Sequence, residues 1–215
     1  LLTLSAEDSA GTGDWVTTGW QNYELPWAPN APQAAVTFEG TEGSTISFTL
    51  NDCRNGGPYI WNAARTVLVG NPDGNMMDGH ANSTDDPGDG SNIFDIEITD
   101  IPFESYDVIV YLGANRDQFL DGTGKISING SPSEDFTLVS GGFDGTYSEI
   151  TEPTTPGNYL VYRALGGESF SARVWGDGFT HLGPTGIQIV ESDSVRQPLE
   201  LADITYHGDD DEITL

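Results

Sequence analysis

The chain has 215 residues, and 7 Lys plus Arg stand against 34 Asp plus Glu, a formal net charge of −27. So acidic a surface repels phosphate backbones and anionic lipid, which excludes a nucleic-acid binder working through a basic face and disfavours membrane association. Cys53 is the only cysteine, so neither an internal disulfide nor a multi-cysteine metal site is available. No apolar run approaches the ~20 residues of a membrane-spanning helix. The charge imbalance suits an extracellular protein in cation-rich surroundings, where mobile ions screen self-repulsion. With no initiating Met and an opening Leu1-Leu2-Thr3-Leu4, the chain reads as a piece of a larger protein.

Along the chain, residues 5–33 come first, rich in Trp and Pro (Trp15, Trp20, Tyr23, Trp27) and without alternation. They read as an ordered excursion packed by its own aromatics. From there period-2 alternation dominates, the mark of half-buried strands. Strands are predicted at Ala35–Glu39 and at Ile46–Leu50, where Ile46, Phe48 and Leu50 alternate with Ser47 and Thr49. Another is predicted at Thr66–Val69, and a single helical turn at Asn75–His80. Phe94, Ile96 and Ile98 alternate with Asp95, Glu97 and Thr99. In Tyr106–Leu112 both parities are apolar, which predicts a central strand covered on both faces. Further strands are predicted at Lys125–Asn129, Asp135–Val139, Tyr159–Arg163, Phe170–Trp175 and Gly186–Glu191. Turn signals separate them, among them Asn55-Gly56-Gly57-Pro58, Asn129-Gly130, Gly141-Gly142 and Gly166-Gly167. About ten short strands at this spacing predict an all-β chain, an antiparallel β-sandwich of jelly-roll type. Residues 1–191 would form this module and 192–200 a linker. Residues 201–215 read as the opening hairpin of a following domain.

The order of Met76-Met77-Asp78-Gly79, of Ile98-Thr99-Asp100-Ile101-Pro102 running into Tyr106–Tyr111, and of Gly124–Gly130 carries a resemblance. Asn158-Tyr159-Leu160-Val161-Tyr162 and the closing Gly186–Glu191 complete it. The chain resembles the galactose-binding-domain-like β-sandwich modules of large secreted bacterial proteins. The resemblance covers roughly residues 35–191. It implies carbohydrate binding, often with a structural calcium ion, beside neighbouring domains in a secreted or cell-surface protein. Such modules open with a strand ahead of the Trp-rich segment. Here only Leu1–Leu4 could supply it, as an incomplete opening edge.

Candidate chemistry follows from side-chain types. Asp73, Asp78, Asp85, Asp86 and Asp89 are interleaved with Gly74, Gly79, Gly88 and Gly90. Close Asp spacing in a Gly-rich loop lets hard oxygen ligands converge on calcium. Asp and Gly are equally good turn residues, which is the competing account. Asn115, Asp117 and Asp121 form a second such run. For sugar recognition the candidates are Trp175, Trp61 and Tyr59 as stacking faces, with Arg116, Asp117 and Arg65 as polar contacts. Trp61 and Trp175 serve equally well as core residues, and Arg116 as an ion-pair partner of a nearby carboxylate. Among 34 acids a closely spaced carboxylate pair is inevitable, so it does not point to a glycosidase. His80, His181 and His207 are scattered, and no serine sits in a Gly-x-Ser-x-Gly elbow. The expected function is therefore non-catalytic binding of a polysaccharide, neutral rather than anionic. A calcium-stiffened spacer and a glycan-cleaving enzyme are the alternatives.

Overall fold

A computed structural model describes residues 2–5, 21–24, 36–39, 45–51, 60–62, 77, 79–81, 94–114, 122–139, 143–176 and 182–192. They form thirteen strands. The first six are β1 (Leu2–Ser5), β2 (Gln21–Glu24), β3 (Val36–Glu39), β4 (Thr45–Asn51), β5 (Ile60–Asn62) and β6 (Gly79–Ala81). For these six, backbone and register are described. The rest are β7 (Phe94–Thr99), β8 (Ser105–Ala114), β9 (Thr123–Ile128), β10 (Glu134–Thr137), β11 (Tyr159–Gly166), β12 (Phe170–Gly176) and β13 (Leu182–Glu191).

Two sheets face each other. One has the order β11-β8-β13-β1-β2 and the other β10-β9-β12-β7-β4-β3, and β5 and β6 make a separate two-stranded ribbon. Neighbours run antiparallel except β1 and β2, which are parallel. The chain is thus an all-β antiparallel sandwich, as its alternation predicts.

The core lies between the sheets and is built by that alternation. Phe94, Ile96 and Ile98 of β7 and Phe170, Ala172 and Val174 of β12 point inward from one sheet. Tyr106, Val108, Val110 and Leu112 of β8 meet them from the other. Each such large side chain, taken fully out of water, contributes about 1.5–3 kcal/mol. Tyr106 keeps its hydroxyl satisfied by donating to the Ser169 carbonyl at 2.8 Å.

The two-sided reading of β8 holds as well. Tyr111, on the opposite parity, is buried with Met77 and Phe143 in a second, smaller cluster. Between β9 and β10, Asn129 (φ 48°) and Gly130 (φ 72°) both take left-handed conformations, and Ser131 N–H donates to the Ile128 carbonyl at 2.8 Å. That is the tight turn its Asn-Gly pair signals, and the ladder beyond it pairs Ile126 with Glu134, so one extra residue is taken up between turn and strands.

Several boundaries differ from the sequence reading. β13 begins at Leu182 because the strand tolerates Pro184: a register shift between Pro184 and Gly186 absorbs the missing N–H. β11 runs on to Gly166 through an irregularity between Tyr162 and Leu165. β1 is no edge strand, since it lies between β13 and β2. β2 falls inside the excursion predicted to lack strands, because a short parallel partner leaves no two-faced alternation. Met77 is helical, but Gly79 and His80 belong to β6, where backbone pairing with β5 overrides the local turn preference. The strand predicted at Thr66–Val69, the thiol of Cys53 and the tail beyond residue 192 lie outside the described residues.

Candidate functional site

The outer face of the six-stranded sheet collects the side chains that alternate away from the core. On β12 these are Ser171 and Arg173, both exposed, and Trp175, which is half-buried. Register sets their neighbours. Trp175 stands opposite Lys125 of β9, and Lys125 opposite Asp135 of β10. Asp135, Lys125 and Trp175 therefore form one row across three strands. The next row holds Ser127 of β9, Arg173 of β12 and Asp95 of β7.

Both cations in these rows bond carboxylates. Arg173 donates through Nε and through a terminal nitrogen to the two oxygens of Asp95, at 2.6 and 2.8 Å. Lys125, the only lysine, pairs with Asp135. The bidentate fork fixes Arg173 in orientation more than it stabilises the fold, because the pair is solvent-exposed. The surface is thus charged but locally neutral around one indole.

The position of Trp175 is set from beneath by Gly124. A Cβ there would come within 2.9 Å of the Trp175 carbonyl oxygen and 2.5 Å of Phe136 Cζ. The absence of a side chain at Gly124 lets β9 and β12 close up at the adjoining row, where Gly124 faces Gly176. Trp175 follows Val174, whose side chain is fully buried, so the indole is carried on a rigid strand. An aromatic face with forked donors and acceptors beside it can stack on the C–H face of a pyranose and bond its hydroxyls.

Of the residues proposed from sequence, Trp175 is therefore the one whose surroundings are visible. Trp61 belongs to β5, in register with His80 of β6. Its side chain, together with Tyr59, Arg65, Arg116 and Asp117, lies outside the described residues. So do the candidate calcium ligands Asp73, Asp78, Asp85, Asp86 and Asp89. Among the described residues no group of three or more His, Cys, Asp or Glu converges as a metal site. Also among them, no helix is long and apolar enough to cross a membrane. Sequence reasoning missed Lys125, Arg173 and Asp95 as neighbours of Trp175. Their outward parity was legible, but cross-strand register was not.

No protein-family model and no curated protein matches the chain. Solved structures similar to it include a calcium-binding mutant of Bacteroides uniformis beta-glucuronidase 2, with 17% identity and a TM-score of 0.41 over 79% of this chain. A family GH115 4-O-methyl-alpha-glucuronidase with specificity for decorated arabinogalactans has 14% identity and a TM-score of 0.34 over 63% of the chain. TmCBM61 in complex with beta-1,4-galactotriose has 9% identity and a TM-score of 0.33 over 67%. The chain spans 16% and 18% of the first two and 88% of the third. All three are chains whose names connect them with carbohydrate.

Proposed function

We propose that the chain is a non-catalytic carbohydrate-binding module that holds a larger secreted protein on a neutral polysaccharide. The observation that carries this reading is the half-buried indole of Trp175 on an outer sheet face, between Lys125 and the Arg173–Asp95 fork. A residue serving only the core would be turned inward like Val174. A net charge of −27 favours an uncharged ligand over a sulfated or uronic one.

Calcium belongs to the same proposal. Asp73, Asp78, Asp85, Asp86 and Asp89 supply the hard oxygen donors that calcium takes, and the ion would brace the loops around the sandwich rather than react.

Affinity gel electrophoresis of the whole chain against neutral polysaccharides tests the reading. Retardation by at least one glycan, weakened in Trp175→Ala, is the expected result. Unaltered mobility of the wild-type chain on every glycan, with and without calcium, would sink it.

A further inference from the structure

The outer face of the opposite sheet carries a second aromatic surface that the sequence reading did not single out. Tyr111 and Phe143 are buried there against Met77. Above them Tyr147 and Tyr159 are each half-buried. The Tyr147 ring centroid lies 4.9 Å from that of Phe143, 5.6 Å from Tyr111 and 6.5 Å from Tyr159. All three contacts are tilted or edge-on, the arrangement that aromatic quadrupoles prefer. Tyr111 is further pinned by its hydroxyl, 3.1 Å from Gln188 Oε1.

Beside these rings lies a forked ion pair. Arg163 donates through both terminal nitrogens to Glu149 Oε1 and Oε2, at 3.0 and 3.1 Å. The irregularity in β11 falls on the next residue: Ala164 has φ 54°, a left-handed conformation costly for a residue with a Cβ. Its N–H is held by Asp107 Oδ1 at 2.7 Å. Arg163 comes ahead of this irregularity and shares the face of Tyr159 by strand alternation.

We propose that Tyr147, Tyr159, Arg163 and Glu149 form a second saccharide-binding surface, taking an uncharged pyranose, on the sheet opposite Trp175. Two half-buried tyrosine rings over a floor of buried Tyr111 and Phe143 suit the C–H face of a sugar. The fork suits its vicinal hydroxyls, because the guanidinium keeps donors and the carboxylate keeps lone pairs beyond the bonds they make to each other. An anionic ligand is disfavoured. Glu149 already neutralises Arg163, and Asp107 stands close by. The proposal rests on the reading of the chain as a glycan binder and adds a consequence: with a surface on each outer face, one module can hold two chains at once, which raises avidity where both engage.

The test is native gel electrophoresis through β-1,4-galactan, β-1,3-glucan and β-1,4-xylan, run on the full chain, with thermal melts to show that each variant is folded. Wild type should be retarded in at least one gel. Tyr159→Ala and Arg163→Gln should each weaken binding about tenfold, alone and on a Trp175→Ala background, while Tyr159→Phe keeps most of it. Arg163→Gln leaves the ring cluster intact, so a folding defect in Tyr159→Ala does not decide the matter. If wild type is retarded, Trp175→Ala abolishes binding and Arg163→Gln changes nothing, the second surface is wrong and glycan binding stands. If no gel retards wild type, both readings fall.

Discussion

Asn158 and Ser148 clasp each other through main chain and side chain together: Ser148 N–H donates to Asn158 Oδ1 at 2.9 Å, and Asn158 N–H donates to the Ser148 carbonyl at 2.8 Å. Asn158 Nδ2 also donates to the Thr146 carbonyl at 2.8 Å, and the Asn158 carbonyl accepts from Leu112 N–H at 2.9 Å. One buried amide, 4% exposed, therefore fastens the segment carrying Tyr147 and Glu149 to the central strand β8.

Replacing Asn158 by Ala removes both side-chain bonds and leaves the half-buried Ser148 donor and the Thr146 acceptor without their buried partner. The expected loss is about 2–3 kcal/mol, read as a fall in the urea midpoint at unchanged slope. Asn158→Asp should fare no better, because a carboxylate cannot donate to Thr146 and adds a buried charge. A loss below about 0.5 kcal/mol for both variants would show that the clasp is incidental.

Gly124→Ala should destabilise by about 1–3 kcal/mol. Its new methyl would meet Phe136 Cζ at 2.5 Å and Leu182 Cδ2 and the Trp175 carbonyl at 2.9 Å. The carbonyl belongs to a paired strand and has no room to yield. Because that collision pushes on β12 at Trp175, glycan affinity should fall with stability. Thermal melting and gel retardation of the same sample check both.

Tyr162 packs against the main core, and its hydroxyl is buried with no hydrogen-bond partner among the described residues. Burial, helped by Glu134, pushes its ionisation well above the ordinary tyrosine range. Tyr162→Phe removes an unpaired polar atom while keeping the ring, and should raise stability by about 1 kcal/mol. The pH dependence follows. Ionisation of this group is held back only in the folded chain, so its contribution is intact below the ordinary value near 10 and is lost as pH climbs above it. Burial raises Tyr106 in the same way. Tyr159 is raised by burial and by Glu149, against the opposing pull of Arg163. Alkaline unfolding should therefore begin above about pH 10, and Tyr162→Phe should shift it upward. A variant that melts lower than wild type at neutral pH would contradict the assignment.

If the Asp-rich segment around residues 73–89 holds calcium, EDTA should lower the melting temperature and added calcium should restore it, since an ion bound only by the folded chain stabilises it by mass action. Simultaneous replacement of Asp85, Asp86 and Asp89 by Asn should abolish the EDTA effect. Melting that is indifferent to EDTA would remove calcium from the proposal.

The sandwich was legible because its inner faces are written at period 2: Phe94-Ile96-Ile98 and Phe170-Ala172-Val174 announce one sheet, and Tyr106–Leu112 the buried centre of the other. Hidden from it were the features that depend on partners far away in sequence. Pro184 looks like a strand breaker until β8 supplies a register that skips a residue around it. Gln21–Glu24 has no alternation of its own and becomes a strand only by lying along β1. At the candidate site the outward parity of Trp175 was readable, whereas its row-mates Lys125 and Asp135 depended on register. The tyrosine surface escaped because Tyr147 lies in an irregular segment whose position is set by Asn158, not by any periodic signal.

The pairing of β1 with β13 has a mechanical side. Leu2 lies opposite Ile187 and Thr3 opposite Gly186 in an antiparallel ladder, so residue 2 and residue 188 sit almost side by side at one end of it. Tension applied between those two points pulls largely across the strands and loads the ladder one bond at a time. Pulled in this direction, the sandwich should open like a zip, beginning at β1, at forces far below those needed to slide two strands past each other. A single-molecule extension with handles at residues 2 and 188 would register that as an early, low-force release of β1.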